Sequence, residues 1–282
     1  MYDTIIFDLD GTLLDTLEDL MDSVNYIMDK YGFPRRTLEE IRTFVGNGLK
    51  NLLTKCVPTD MSETDFEEAL SEFKEYYGKN CQIKTRPYDG VMECIEALKK
   101  KGYKMAIVSN KADPAVKELN KIYFKGMIDV AIGERPGVAR KPAPDSVYQA
   151  LEELGISMEE RAKKALYVGD SEVDRATAEN AGLDCMSVEW GFRERKLLES
   201  LKPKYLISHP MDVVKTLDDL MIEEIVNRLD GFADSDVSRM KVTVSSDVAM
   251  GEVKKAYHMG RCDIGSPWAK GKAFDVLDDG CK

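Results

Sequence analysis

Residues 4–12 read Thr4-Ile-Ile-Phe-Asp8-Leu-Asp10-Gly11-Thr12. Thr4 to Asp8 is a short run of strand formers without polar alternation, the pattern of a strand buried on both faces of a parallel sheet. It ends in an acid-rich loop, so its carboxylates stand at a strand's carboxyl end, where open α/β sheets bind ligands. A helix is expected next. From Asp15 to Tyr31 the residues Leu17, Leu20, Val24, Ile27 and Tyr31 step by three and four, and Gly32 with Pro34 stops the run.

Three further helices are expected before any second strand. They are Thr37 to Phe44, opened by a Thr37/Glu40 capping box, then Leu49 to Lys55, then Ser62 to Tyr77 along Phe66, Leu70, Phe73 and Tyr77. No strand pattern interrupts residues 16–80, which therefore read as a helical insertion. After Pro87 the pattern alternates. Helices are expected at Val91 to Lys101 (capped by Gly102), Pro114 to Lys121, Pro144 to Leu154, Glu172 to Ala181 (capped by Gly182) and Met211 to about Asn227. Strands are expected at Lys104 to Ser109, Asp129 to Ile132, Ala165 to Gly169, Cys185 to Val188 and Tyr205 to Ser208. Alternating strands and helices make an α/β fold, a doubly wound, Rossmann-like parallel sheet covered on both faces.

Composition narrows the chemistry. The chain has 282 residues, 43% apolar and 8% aromatic, which suits an ordinary globular protein of roughly two domains. Forty basic against 51 acidic residues give a net charge of −11, which speaks against broad contact with nucleic acid or anionic membrane. From Ile225 onward there are nine basic and nine acidic residues, so the whole excess belongs to the first 224. The last segment therefore differs in character from the body. Six cysteines without a CxxC pair read as reduced structural thiols. No apolar run approaches the roughly 20 residues of a membrane span, and MYDTIIFDLD carries acids where a signal peptide carries base; a cytoplasmic protein is expected. Only two histidines occur, which rules out clustered histidine metal sites and leaves catalysis to carboxylates and a hard cation.

Three expected strand ends carry suitable groups. The first gives Asp8, Asp10 and Thr12, the second Ser109 and Asn110, and the strand ending at Gly169 gives Asp170 with Asp174. Between the last two lies Arg140-Lys141-Pro142-Ala-Pro144, a lysine in a stretch stiffened by prolines. Carboxylate oxygens suit magnesium, while lysine and hydroxyl groups suit phosphate oxygens. Each motif alone has a bland reading: a solvated turn, a helix cap, an exposed helical acid. Together they describe one site.

On these residues the chain resembles the haloacid dehalogenase superfamily, whose phosphatases open with DxDGT. The resemblance covers residues 1 to about 225 and includes four motifs in order: Phe7-Asp8-Leu-Asp10-Gly11-Thr12, Ser109-Asn110, Lys141-Pro142 and Gly169-Asp170-Ser-Glu-Val-Asp174. The helical insertion resembles the C1 cap of that superfamily. Phe44-Val-Gly-Asn-Gly48, Arg86-Pro-Tyr-Asp-Gly90, Gly133-Glu-Arg and Trp190-Gly-Phe-Arg193 resemble segments of phosphoglycolate phosphatases.

The resemblance implies a Mg2+-dependent phosphatase acting on a small phosphorylated metabolite, with a core of residues 1–15 and 86–228, a cap of 16–85 and an extension of 229–282. It implies that Asp8 attacks phosphorus and Asp10 serves as acid and then base. Thr12, Ser109, Asn110 and Lys141 would meet the phosphoryl group. Magnesium would sit on Asp8, the Asp10 carbonyl and Asp170, with Asp174 orienting those groups. Asp10 also sets the chain apart from dehalogenases and phosphonate hydrolases, which lack that second acid. The cap would hinge near Asp15 and Arg86.

Several alternatives stay open. Gly46 and Gly48 either make a helix-to-helix turn or bring Asn47 and neighbouring amides onto the substrate. Arg42 and Lys50, beside that turn, are solvated cations or contacts for a substrate carboxylate. A β-phosphoglucomutase-like mutase, a pyrophosphatase and a non-catalytic phosphate-sensing module are the rival functions, and the chain is expected to be a monomer or homodimer. In the extension, Gly265 to Lys272 misses the P-loop spacing, and His258, Cys262 and Cys281 fall short of a zinc site. Met240 to Val244 alternates like a strand, and Tyr257, Trp268 and Phe274 could pack a satellite core.

Overall fold

Thr4–Phe7 (β1) lies at the centre of a parallel sheet, and all four of its residues are buried. The computed structural model describes residues 1–230. The expected strand Met240 to Val244, the aromatic set Tyr257, Trp268 and Phe274, the near P-loop and the residues His258, Cys262 and Cys281 lie outside the described residues. Tyr2–Val213 forms one compact unit, and from Val214 the chain belongs to a second.

After β1 come Leu14–Asp15 (β2) and the helices Leu17–Tyr31 (α1), Leu38–Phe44 (α2), Gly48–Cys56 (α3) and Glu63–Asn80 (α4), followed by Arg86–Pro87 (β3). Then follow Val91–Lys100 (α5), Lys104–Ala112 (β4), Asp113–Leu119 (α6), Val130–Glu134 (β5), Asp145–Glu153 (α7) and Arg161–Lys164 (α8). Ala165–Gly169 (β6), Glu172–Ala181 (α9), Asp184–Val188 (β7), Arg195–Ser200 (α10), Tyr205–Ile207 (β8) and Met211–Asp230 (α11) complete the order. The sheet order is β5-β4-β1-β6-β7-β8, and every pairing in it is parallel.

This order decides where a site can form. The chain leaves β1 toward β4 on one side and reaches β6 on the other, so a crevice opens beyond the carboxyl end of β1. The register brings the neighbours level: Phe7 pairs with Ile107 on one side and Val168 on the other. Asp8, Ser109 and Asp170 therefore leave the sheet at the same edge. One apolar layer beneath it gathers Ile6, Val108, Ile132, Val147, Leu151, Tyr167 and Ala178.

The four inserted helices have a separate apolar cluster, with Leu17, Leu20, Val24, Ile27, Ile41, Leu53, Leu70 and Phe73 buried in it. The expected Thr37/Glu40 capping box is present, Ser62 caps α4 by accepting from the Asp65 amide, and Gly32 closes α1 in the left-handed conformation. The ribbon β2–β3, antiparallel with Asp15 opposite Arg86, joins the two crossings into this insertion. Pairs of two residues carry no readable alternation, so periodicity alone misses β2 and β3.

Other departures are local. Strand β4 runs three residues past the expected Ser109, to Ala112, with a register break between Val108 and Ala112. The break turns Ser109, Asn110 and Lys111 out of the regular ladder, which is how the strand end becomes part of a site. Helix α6 passes into a π-helical turn over Asn120–Phe124, and the short helices α8 and α10 are too brief for a period to register. Cys56, Cys81, Cys94 and Cys185 are buried free thiols. No helix among the described residues is long and apolar enough to cross a membrane.

Candidate active site

A cavity of about 70 Å³ opens at the carboxyl edge of β1. Asp8, Asp10, Ser109, Asn110, Lys111, Lys141, Asp170 and Asp174 line it from the sheet side, while Leu20, Val45, Leu49, Leu52 and Tyr77 line it from the insertion.

Lys141 is the electrostatic centre. Its side chain is 4% exposed, and Nζ donates to Asp8 Oδ1 at 2.6 Å, Asp174 Oδ1 at 2.8 Å and the Tyr167 hydroxyl at 3.1 Å. All three ammonium protons are thereby used. Burial opposes the charge of Lys141, but Asp174 and Asp8 hold its pKa well above the lysine range. Asn110 clasps the lysine's backbone from both sides: its amide donates to the Lys141 carbonyl at 3.1 Å and its oxygen accepts from the Lys141 N–H at 2.9 Å. Ser109, 5% exposed, accepts from the Lys111 amide at 3.2 Å.

The acids are strongly desolvated. Burial, reinforced by the charge of Asp174, raises the Asp8 carboxyl well above its usual range, and the same two causes push Asp170 up to about 7. Asp174 closes a capping box at the start of α9 with Ser171 and accepts from Tyr167 at 3.2 Å, so its oxygens are committed to orienting neighbours. Asp170 accepts from the Phe192 amide at 2.7 Å and the Thr12 hydroxyl at 3.3 Å. Thr12 thus holds an acid. Gly11, at φ +94°, lets the loop pass against Asp170, since a Cβ there would stand 2.6 Å from Oδ2.

Ligand oxygens of Asp8, Asp170 and Asp174 lie within 4.8 Å of one another, all three residues buried. Asp8, Asp10, Asp170 and Asp174 stand against Lys111, Lys141 and Arg193 in the cavity lining, and Arg193 is itself paired with Glu172. Hard oxygen donors with an excess of negative charge suit a divalent cation such as Mg2+, whose charge would also bring both raised pKa values down.

Gly46 and Gly48 both line the cavity, with Asn47 between them as the residue that opens α3. Gly46 takes φ +118°, and a Cβ on it would meet Arg193 Nη2 at 3.0 Å. Lys50 pairs with Glu67 on the surface, and Arg42 Nη1 donates to the Gly191 carbonyl at 3.3 Å. Neither cation lines the cavity.

Periodicity and motif reading assign no site role to three residues, although Arg193 closes the quoted segment Trp190-Gly-Phe-Arg193. Lys111 lines the cavity and donates to Asp10; its place directly after Ser109-Asn110 was the available signal. Tyr77 falls on the apolar stripe of α4, so its hydroxyl was hidden by its ring. Arg193 pairs with Glu172 at 2.7 Å and donates to the carbonyls of Arg42 and Val45, which no spacing rule reveals.

The doubly wound sheet gathers buried acids and a lysine at its carboxyl edge, facing the inserted helices, an arrangement suited to phosphate esters. The family model of the haloacid dehalogenase-like hydrolases matches residues 5–188, and the chain belongs to that family. A phosphoglycolate phosphatase of Aquifex aeolicus is 32% identical over 220 residues, 78% of this chain and 98% of that one. Pyrophosphatase PpaX of Bacillus cereus is 30% identical over 220 residues, 77% of this chain and 97% of the relative. The crystal structure of a predicted phosphoglycolate phosphatase of Haemophilus somnus superposes with a TM-score of 0.70 at 28% identity, covering 77% of this chain and 98% of that one.

Proposed function

We propose that the protein is a Mg2+-dependent phosphatase that hydrolyses a small, phosphoglycolate-like phosphomonoester through a phosphoryl group carried on Asp8. The observation that carries this reading is the contact of Asp8 with Lys141 at 2.6 Å in a cavity of about 70 Å³. A buried carboxylate at a strand end can attack phosphorus, and the adjacent lysine offsets charge on the phosphoryl oxygens.

Asp8, the backbone carbonyl of Asp10 and Asp170 would hold Mg2+, with Asp174 orienting Lys141 and the start of α9. The cation supplies charge stabilisation to the phosphoryl oxygens. Asp8 takes the phosphoryl group as the ester P–O bond breaks, and Asp10 gives a proton to the leaving oxygen. Asp10 then takes a proton from the water that releases phosphate. Ser109, with the backbone beside Asn110, faces the phosphoryl oxygens. Residues 16–85 act as a lid on the core of 1–15 and 86–228, and the turn of Gly46, Asn47 and Gly48 forms part of its substrate-facing rim.

The PpaX relative makes pyrophosphate the second substrate to test. A panel of phosphoglycolate, other aliphatic phosphate esters and pyrophosphate, assayed with and without Mg2+, ranks the substrates. Asp8→Asn should abolish turnover of each while the circular dichroism spectrum is kept. Near-normal turnover in that variant refutes the mechanism.

A further inference from the structure

Lys111 stands on β4 after Ser109 and Asn110, with its side chain 6% exposed. A buried ammonium needs its charge and its protons met. Nζ donates to Asp10 Oδ1 at 3.0 Å and to the Tyr77 hydroxyl at 2.5 Å, and it lies 4.6 Å from the centre of the Tyr77 ring. The partners come from three parts of the fold. Asp10 is in the loop after β1, Lys111 is on the neighbouring strand, and Tyr77 is on α4, the last helix of the insertion. All three line the cavity. Tyr77 is 3% exposed, whereas the Asp10 side chain keeps 21% exposure toward the cavity. Lys111 engages Asp10 through Oδ1.

We propose that Lys111 and Tyr77 form a strut from the cap to Asp10, positioning residues that aim its carboxyl group and make that aim depend on where the cap sits. The inference rests on the reading of Asp10 as acid and base given above. In the first half-reaction the P–O bond breaks, its electron pair stays on the leaving oxygen, and that oxygen takes the proton from Asp10. In the second, Asp10 takes a proton from the water whose oxygen bonds to phosphorus, and the bond from phosphorus to Asp8 breaks. Both transfers require Asp10 within hydrogen-bond reach of an oxygen. A cap displaced from the core withdraws Tyr77 from Lys111, so the proton donor is assembled only over a covered substrate.

Leaving groups separate this role from general support of the fold. An alkoxide needs a proton as it departs; p-nitrophenolate does not. The full-length protein with Mg2+ is compared with its Tyr77→Phe and Lys111→Met variants on p-nitrophenyl phosphate and on phosphoglycolate, or the best aliphatic ester of the panel. The first-turnover release of p-nitrophenol should stay within about twofold of the parent. Turnover of the aliphatic ester should fall about tenfold for Tyr77→Phe and about a hundredfold for Lys111→Met, the second reaching the lower end of the roughly 10²–10⁴-fold that general acid–base catalysis contributes. Equal losses on both substrates, or no loss on either, overturn the strut. Tyr77→Phe removes a single oxygen and carries the test even where Lys111→Met fails to fold. Asp10→Asn separates the two levels of the inference. If it spares the aliphatic ester, the acid–base reading fails; if it impairs that ester and both strut variants do not, only the strut fails.

Discussion

The segments of Arg193 and Arg42 exchange hydrogen bonds: Arg193 Nη1 donates to the Arg42 carbonyl at 3.1 Å, while Arg42 Nη1 donates to the carbonyl of Gly191, two residues before Arg193, at 3.3 Å. The first bond reaches the C-terminal turn of α2, whose last carbonyls have no partner within the helix. A second donor of Arg193 takes the Val45 carbonyl at 2.8 Å, and Glu172 holds the guanidinium from the core side. One core side chain thus closes the end of an inserted helix, and charge favours it there because cations suit helix C-termini.

Arg193→Met should therefore loosen the insertion. The variant leaves two carbonyls and the half-buried Glu172 without their partner, a cost of about 1–3 kcal/mol. Steady-state kinetics should show kcat/KM reduced about tenfold or more, with thermal unfolding shifted down. An unchanged kcat/KM would mean that this exchange has no part in covering the substrate.

Lys141→Met should expose the charge imbalance of the site. Without Nζ, the buried Asp8 and Asp174 lose their common cation, and breaking a buried pair from one side costs about 3–5 kcal/mol. Chemical denaturation should find the variant much less stable than the parent in EDTA. Addition of Mg2+ should stabilise the variant, through binding to the folded state. Equal stabilities of the two proteins in EDTA would contradict the account.

The raised Asp170 carboxyl gives a signed pH dependence. The unfolded chain loses this proton near 4, whereas the metal-free native state keeps it until about 7. Between those values the native state binds more protons, so this group's contribution to stability declines as pH rises. Other carboxylates add their own slopes, and Asp170→Asn isolates the one of interest. In EDTA the Tm of the parent minus that of Asp170→Asn should fall from pH 5 to pH 8. Mg2+ requires ionised ligands and should raise the parent's Tm more at pH 8 than at pH 5. A Tm difference that stays flat or rises with pH would reject the assignment.

Asp19 is the most heavily used acid near the two crossings. Buried at 2% exposure, it accepts from the amides of Lys84 and Thr85 at 3.0 and 2.9 Å and from the Thr85 hydroxyl at 2.8 Å. Asn would set an N–H₂ group against one set of donors. Asp19→Asn should cost about 1–3 kcal/mol, visible as a Tm lower by several degrees.

Much of this architecture is legible in the chain itself, for physical reasons. Ala165–Gly169 and Glu172–Ala181 have the bounds that their apolar run and their glycine stop suggest, because burial on both faces leaves no other use for such a run. Three motifs at strand ends mark the acids and Ser109, because a parallel sheet sends every strand end to one edge, and the proline-flanked Lys141 joins them from the loop between β5 and α7. What periodicity cannot reveal is a side chain with two characters. Tyr77 counts as apolar on its helix, yet its hydroxyl reaches a lysine; the Thr12 hydroxyl, expected at the phosphoryl group, also donates to Asp170. Arg193 reaches the Arg42 carbonyl across 151 residues of chain, and no local pattern encodes such a meeting.

The short ribbon of Asp15 and Arg86 has a consequence for how this molecule can vary. Because the outgoing and returning chains pair as neighbours, the sheet experiences residues 16–85 as the loop of a hairpin, however large that loop is. Closing a loop costs only about 0.6 kcal/mol more for each doubling of its length. Helices can thus be lengthened, shortened or exchanged beyond the ribbon while Asp8, Lys141 and Asp170 keep their places. The inserted helices and the sheet-borne residues Asp8, Lys141 and Asp170 are, in this sense, separately editable, with the contact of Tyr77 and Lys111 as a link that an exchange of helices would have to keep.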